Sequence, residues 1–130
     1  MIYHTDIQVR FNDTDAFGHL NNTSFSLYAE QARVSFFREQ LGPTGGLILA
    51  RIALDFRKQV RFGDTVYVTT ELERIGTSST TLWQLVYANQ EVAAEVSSVV
   101  VFFDYQAQAS RPVSASFRQK LEPFLRTARE

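Results

Sequence analysis

One stretch constrains the fold more than any other: Thr23 to Leu41 is the only segment whose helical periodicity runs long enough to cross a whole domain. Phe25, Tyr28, Ala29, Ala32, Phe36 and Phe37 recur at three- and four-residue steps, while Glu30, Arg33 and Arg38 fall on other faces. Gly42-Pro43 stops the pattern. At ~1.5 Å per residue such a helix is roughly 28 Å long. Most of the remaining chain reads with period two, so this helix is what a sheet here has to bury.

The period-two runs define the expected sheet. Ile7, Val9 and Phe11 share one face of a short first strand, Ile7 to Phe11. After the helix, Ile52, Leu54, Phe56, Val60 and Phe62 alternate with Asp55, Arg57, Gln59 and Arg61, which predicts a strand over 52–62. Lys58 breaks its apolar face, as at a strand end or bulge with the amine reaching water. Gly63-Asp64 turns the chain into a strand ending at Ile75-Gly76; the next runs from Ser78 to Ala88, and Asn89-Gln90 makes a hairpin. The last, Glu91 to Tyr105, is apolar enough for burial on both faces. Beyond Arg111-Pro112, Ser116 to Arg126 predicts a short helix with Phe117, Leu121 and Leu125 in line. The expected architecture is α+β: strand, long helix, then four antiparallel strands, in one domain over residues 1–130.

Several function classes fall away. A net charge of −1 and a pI near 6.1 offer no basic field for a nucleic acid. The chain has no cysteine, hence no disulfide and no thiolate nucleophile. No uncharged apolar run approaches the ~20 residues of a membrane span. The start lacks the layout of a signal peptide, so a cytoplasmic location is expected. There is no Gly-x-Ser-x-Gly elbow and no phosphate-binding glycine loop. His4 and His19 alone cannot build a usual zinc site, and neither a metal nor a cofactor is expected.

What remains is the turn before the helix, Asp13-Thr14-Asp15-Ala16-Phe17-Gly18-His19-Leu20-Asn21-Asn22. It gathers two carboxylates and a histidine within seven residues, and a glycine that lets the backbone bend tightly. It ends at a helix N-terminus, where unpaired N–H groups and the dipole favour negative charge. Asn21 and Asn22 read first as helix caps. Asp13 reads as turn chemistry. His19 either orients the loop or lines a pocket, and Phe25, Tyr28, Phe36 and Phe37 read as core and interface.

Arg10-Phe11-Asn12-Asp13-Thr14-Asp15-Ala16-Phe17-Gly18-His19-Leu20-Asn21-Asn22, with Phe25, Tyr28, Glu30 and Ala32-Arg33 following, resembles the opening motif of the 4-hydroxybenzoyl-CoA thioesterase family. Asp55 to Asp64 and Ser79 sit where that family has similar segments. The resemblance implies a hot-dog fold, in which an antiparallel sheet wraps one long helix. It also implies acyl-CoA as substrate, and a homodimer or homotetramer with active sites between subunits. Carried over residue by residue, the catalytic aspartate falls on Asp15, and the helix-end amide that receives the thioester oxygen falls near Asn22.

The chain departs from the family in two places. The basic cluster that some relatives carry before the position of Ser79 is Gly76-Thr77-Ser78 here, so CoA anchoring must use Arg57, Lys58, Arg61 or Arg74, or be weak. Gln59 stands where many relatives have proline. Ser79 has no recognisable base and reads as a hydroxyl hydrogen-bonding near substrate. Two other classes stay open: a hot-dog hydratase or dehydratase on acyl thioesters, and a non-catalytic acyl-thioester-binding module.

Overall fold

The computed structural model describes residues 1–126. The long helix, α1, spans Asn22–Leu41 and buries Phe25, Tyr28, Ala29, Ala32, Phe36, Phe37 and Leu41. It stops at Gly42, whose φ of 71° is open to glycine at little cost and whose N–H donates to the Arg38 carbonyl.

The structure has six strands: β1 (Tyr3–Ile7), β2 (Gly46–Phe56), β3 (Val66–Ile75), β4 (Ser79–Ala88), β5 (Glu91–Asp104) and a two-residue β6 (Ala109–Ser110) that the sequence pattern did not mark. They form one antiparallel sheet in the order β1-β3-β4-β5-β2, with β6 paired to the end of β5. Asn89 (φ 52°) and Gln90 (φ 70°) make the β4–β5 hairpin, the two left-handed residues that match the twist of a strand pair.

Alternation along β4 and β5 puts Leu82, Val86, Val96, Val100 and Phe102 on the face that meets α1, all buried. Each such side chain contributes ~1.5–3 kcal/mol on leaving water. The core divides along the helix. One cluster gathers Leu20, Phe25, Tyr28, Ala29, Val60 and Val96 near the helix start; the other gathers Phe36, Phe37, Leu82, Phe102, Leu121 and Phe124 near its end. At Ala29 the backbones come close enough for Gln84 Nε2 to donate to the Ala29 carbonyl at 3.1 Å and to Thr70 Oγ1 at 3.0 Å.

Four expectations need correction. The first strand is Tyr3–Ile7, not Ile7 to Phe11; Phe11–Asp13 is a 3-10 turn because the Asp13 carboxylate accepts the Arg10 N–H and folds the chain back. The strand expected over 52–62 starts earlier and ends at Phe56, since Arg57 and Lys58 both donate their N–H groups to the Ala93 carbonyl and leave the ladder. Lys58 therefore stands just past a strand end. In β5 only the inner face is fully buried, while Ser97, Val99 and Val101 on the outer face are half-buried because no second layer covers them. The last helix, α2, is Ala115–Leu121, capped by Ser114 Oγ accepting from Phe117 N at 3.0 Å. A 3-10 turn, Glu122–Phe124, replaces its expected second half, because Pro123 has no N–H to continue the helix.

No helix among the described residues is long and apolar enough to cross a membrane.

Candidate active site

The turn before α1 closes on itself. Asp15 N–H donates to the His19 carbonyl at 2.7 Å, Gly18 N–H to the Asp15 carbonyl at 3.2 Å, and Thr14 pairs with Leu20. Gly18 has φ 82°, a conformation side chains resist, so the glycine is what lets the loop turn so tightly. Inside it, Asp15 Oδ1 accepts from the amides of Phe17 at 2.8 Å and His19 at 3.1 Å. Its other oxygen has no partner among the described residues.

These two amides hold the exposed Asp15 carboxyl below the ordinary aspartate range, Phe17 contributing most. The group is therefore ionised at neutral pH. The result is an accessible carboxylate with one oxygen fixed and one open.

Asp15 lines a hollow of about 350 Å³ together with His19, Leu20, Asn22, Phe25, Phe56, Arg57, Lys58 and Gln59. Asn22 is the first residue of α1, and the preceding Asn21 makes no side-chain cap. Asn21 does hold the expected N-cap position, without a side-chain cap bond, and its N–H donates to the Asp13 carbonyl at 2.9 Å. His19 fills both roles left open for it, bracing the loop through its backbone and lining the hollow with the residue itself.

The candidate cations separate into three kinds. Arg57 and Lys58 line the hollow but already hold carboxylates, Arg57 on Glu95 at 2.5 Å and Lys58 on Glu91 at 2.5 Å. Arg61 pairs backbone to backbone with His19 beside the hollow, and its exposed side chain makes no ion pair among the described residues. Arg74 and Ser79 lie elsewhere. Arg74 is level with Thr81 and Val99, and Ser79 with Val101, whereas the Asp15 end of the sheet is level with Ala93. Eight residues of β5, about 27 Å, separate Ala93 from Val101.

Within one chain, then, Asp15, His19, Asn22, Arg57 and Lys58 come together with Arg61 beside them, and Arg74 and Ser79 do not. Sequence reasoning missed Phe56 and Gln59 as lining residues and read Phe25 as core and interface. Phe25 is in the core, but it also meets Phe56 edge-on at 5.2 Å at the mouth of the hollow. Only the end of β2 at Phe56 exposes that ring, and the alternation pattern ran past this end. Among the described residues no group of three or more His, Cys, Asp or Glu gathers in a way that could hold a metal ion.

Known proteins share this arrangement of sheet and helix. A predicted thioesterase from Bacillus stearothermophilus superposes with a TM-score of 0.91 at 28% identity, covering 98% of each chain. A thioesterase complexed with coenzyme A and Zn, from Thermus thermophilus, superposes with a TM-score of 0.86 at 30% identity, over 93% of this chain and 92% of that one. The long-chain acyl-CoA thioesterase FadM of Escherichia coli (strain K12) is 23% identical over 130 residues, 94% of this chain and 98% of its own. The fold is the hot-dog fold, α+β with an antiparallel sheet around one long helix. Residues 9–121, from the end of β1 through the Asp15 turn to the last residue of α2, match the family model of the Thioesterase-like superfamily, and the chain belongs to that superfamily.

Proposed function

We propose that the protein is an acyl-CoA thioesterase of the 4-hydroxybenzoyl-CoA thioesterase family, hydrolysing an acyl-CoA thioester to the free acid and CoA. The observation that carries this reading is Asp15: an ionised, accessible carboxylate with one oxygen fixed by two amides and one open, across a hollow from the start of a 20-residue helix. The thioester carbonyl takes its place at the Asn22 end of α1, where N–H groups and the helix dipole stabilise charge developing on oxygen, at ~3 kcal/mol per well-placed donor. Asp15 then either adds to the carbonyl carbon, expelling the CoA thiolate and leaving a mixed anhydride for water to open, or takes the proton of a water that attacks instead. Its low pKa keeps it ionised, as both roles require, and would not suit a proton donor. Similarity to a thioesterase complexed with coenzyme A supports the choice of substrate.

A panel of acyl-CoA thioesters, followed by release of free thiol, tests this. Hydrolysis of at least one member is expected, and thiol release from none would reject the reading; hydration of an enoyl-CoA without thiol release would favour a hydratase. The same panel tests the CoA contact. Arg61 has no competing carboxylate, so Arg61→Gln should raise KM about tenfold with little change in kcat, and should do nothing to a pantetheine thioester that lacks the phosphates. Equal losses on both substrates would remove Arg61 from that role. Arg57→Gln and Lys58→Gln are expected to act more weakly, because Glu95 and Glu91 already hold those charges.

The distance to Arg74 and Ser79 points to a second copy of the chain, as a homodimer or as half of a homotetramer. β2 ends the sheet with its outer edge unpaired among the described residues, and it carries neither proline nor lysine to protect that edge. Asp55 lies opposite Glu95, whose charge Arg57 holds, and makes no ion pair of its own among the described residues, which leaves it open to a cation of a second copy. Two β2 strands running antiparallel about Ala53 set Arg51 against Asp55 of the second copy. They also bring the Arg74 and Ser79 end of one copy alongside the Asp15 end of the other. The chain has no cysteine of its own, so Ala53→Cys gives a clean check. It should cross-link to a covalent dimer on mild oxidation, and Leu49→Cys should not. A fully active species sedimenting at the 14.8 kDa of one chain, at micromolar concentration, would end this proposal.

A further inference from the structure

Asp13 lies two residues before Asp15 and is 4% exposed, yet the reaction above makes no use of it. Its carboxylate Oδ2 accepts from the Tyr28 hydroxyl at 2.6 Å and the Arg10 amide at 2.9 Å, and Oδ1 from the Arg10 guanidinium at 3.2 Å. Its backbone carbonyl accepts from Asn21 N at 2.9 Å and from the Ser24 hydroxyl at 2.9 Å. One residue is thus bound to the 3-10 turn on one side and to the cap, first turn and second turn of α1 on the other. Burial alone would favour a neutral carboxyl here. The hydrogen bonds from Tyr28 and Arg10 outweigh it and hold Asp13 below the ordinary range, while burial first and Asp13 second push the Tyr28 phenol up.

The bonds within the Asp15 loop fix its shape, but not its place relative to the helix. Asp15 to His19 and Thr14 to Leu20 are contacts of the loop with itself. Leu20 N–H to the Val60 carbonyl at 2.7 Å ties the loop to the segment after β2, again not to α1. Leu20 packs with Phe25 and Tyr28 of the helix, but the hydrogen bonds from the turn to the helix run through Asp13, by its side chain to Tyr28 and its carbonyl to Asn21 and Ser24. Tyr28 belongs to the same helix whose first residue, Asn22, lines the hollow. We propose that Asp13 and Tyr28 are a positioning pair that sets the Asp15 carboxylate against the start of α1 for attack on the thioester. The proposal rests on the thioesterase reading. Neither residue touches the reacting atoms; both act through Asp15, whose misplacement by ~1 Å is enough to cost about 100-fold in rate.

A purely structural pair would lower the melting temperature and leave the kinetics of the folded enzyme alone. A positioning pair changes them. Tyr28→Phe removes one hydroxyl and should lower kcat about 10- to 100-fold with KM within about threefold of the parent. The acid limb of kcat/KM should stay where it is, because the Phe17 and His19 amides that depress the Asp15 pKa belong to the loop itself. Asp13→Asn keeps an oxygen for Tyr28 and Arg10 and should retain far more activity than Asp13→Ala. The double variant of Tyr28→Phe with Asp13→Ala should be no worse than Asp13→Ala alone, since both cut the same link.

Variants that melt earlier yet keep the parent kcat would overturn the pair. If Asp13→Ala fails to fold, Tyr28→Phe decides alone. An Asp15→Asn enzyme at parent activity would take down the thioesterase reading and the pair with it. An inactive Asp15→Asn beside a Tyr28→Phe at parent rate would take down the pair only.

Discussion

Asp15→Asn should lower kcat by roughly two to four orders of magnitude, the span usual for a lost acid–base group, while folding and assembly stay as in the parent. Asparagine keeps the oxygen that accepts from Phe17 and His19, so the loop that Asp15 organises should survive the change. What is lost is the charge and basicity of the open oxygen, which both mechanisms need. If Asp15 served only to shape the turn, asparagine would be among the best replacements, and activity would hold within a few-fold. Asp13→Asn is the control within the same turn, with a much milder loss expected. Should that variant abolish turnover while Asp15→Asn leaves it intact, the wrong carboxylate has been assigned. The acid limb of the Asp15 enzyme should lie below the range of a free aspartate. Its pKa is depressed in the fold, so its charge persists until the pH falls through that lowered value.

The helix and the site turn were legible in the sequence for a shared physical reason. α1 announces itself through one apolar stripe, and its beginning is marked by the polar turn that precedes it. The boundaries of the neighbouring strands were not legible, because alternation continues where pairing does not. Val60 and Phe62 keep the period of β2, but Val60 is buried against Leu20 and Phe62 is 56% exposed. Asp13 shows a different limit. As a residue type it reads as a turn former, and nothing local signals that it is buried under Tyr28, fifteen positions away. The hollow itself was only half legible, since Phe56 and Gln59 join it through the way the chain leaves the sheet.

Phe36→Ala is expected to cost about 3–5 kcal/mol, the largest single loss of stability in the described structure. Phe36 is fully buried and holds ring contacts with Tyr3 at 5.4 Å, Phe37 at 5.3 Å and Phe124 at 5.0 Å, so it joins β1, α1 and the C-terminal turn. A domain of this size has ~5–15 kcal/mol in all, and the melting temperature should fall by about 10–20 °C. Ile2→Ala, at an exposed position, should stay within about 0.5 kcal/mol. Phe36 belongs to the cluster at the far end of α1 from Asp15. The folded fraction of the variant should therefore turn over at the parent rate, and a loss of kcat that tracks the loss of stability would show the two ends of the helix to be coupled. Urea unfolding followed by tryptophan fluorescence, through the single Trp83, measures the stability.

The order of the sheet also governs how this chain reaches its fold. β3, β4 and β5 join their neighbours through short turns, so the meander assembles from contacts close in sequence. β1 and β2 flank α1 in sequence yet attach to opposite edges of that meander. Both must wait for partners that lie tens of residues downstream, and their pairing carries the loop-closure entropy of the fold. During synthesis the helix leaves the ribosome before the surface that will cover it exists. The loop bearing Asp15 lies between β1 and α1 and bonds to Val60 beyond β2, so it takes its place only when both edges are fastened.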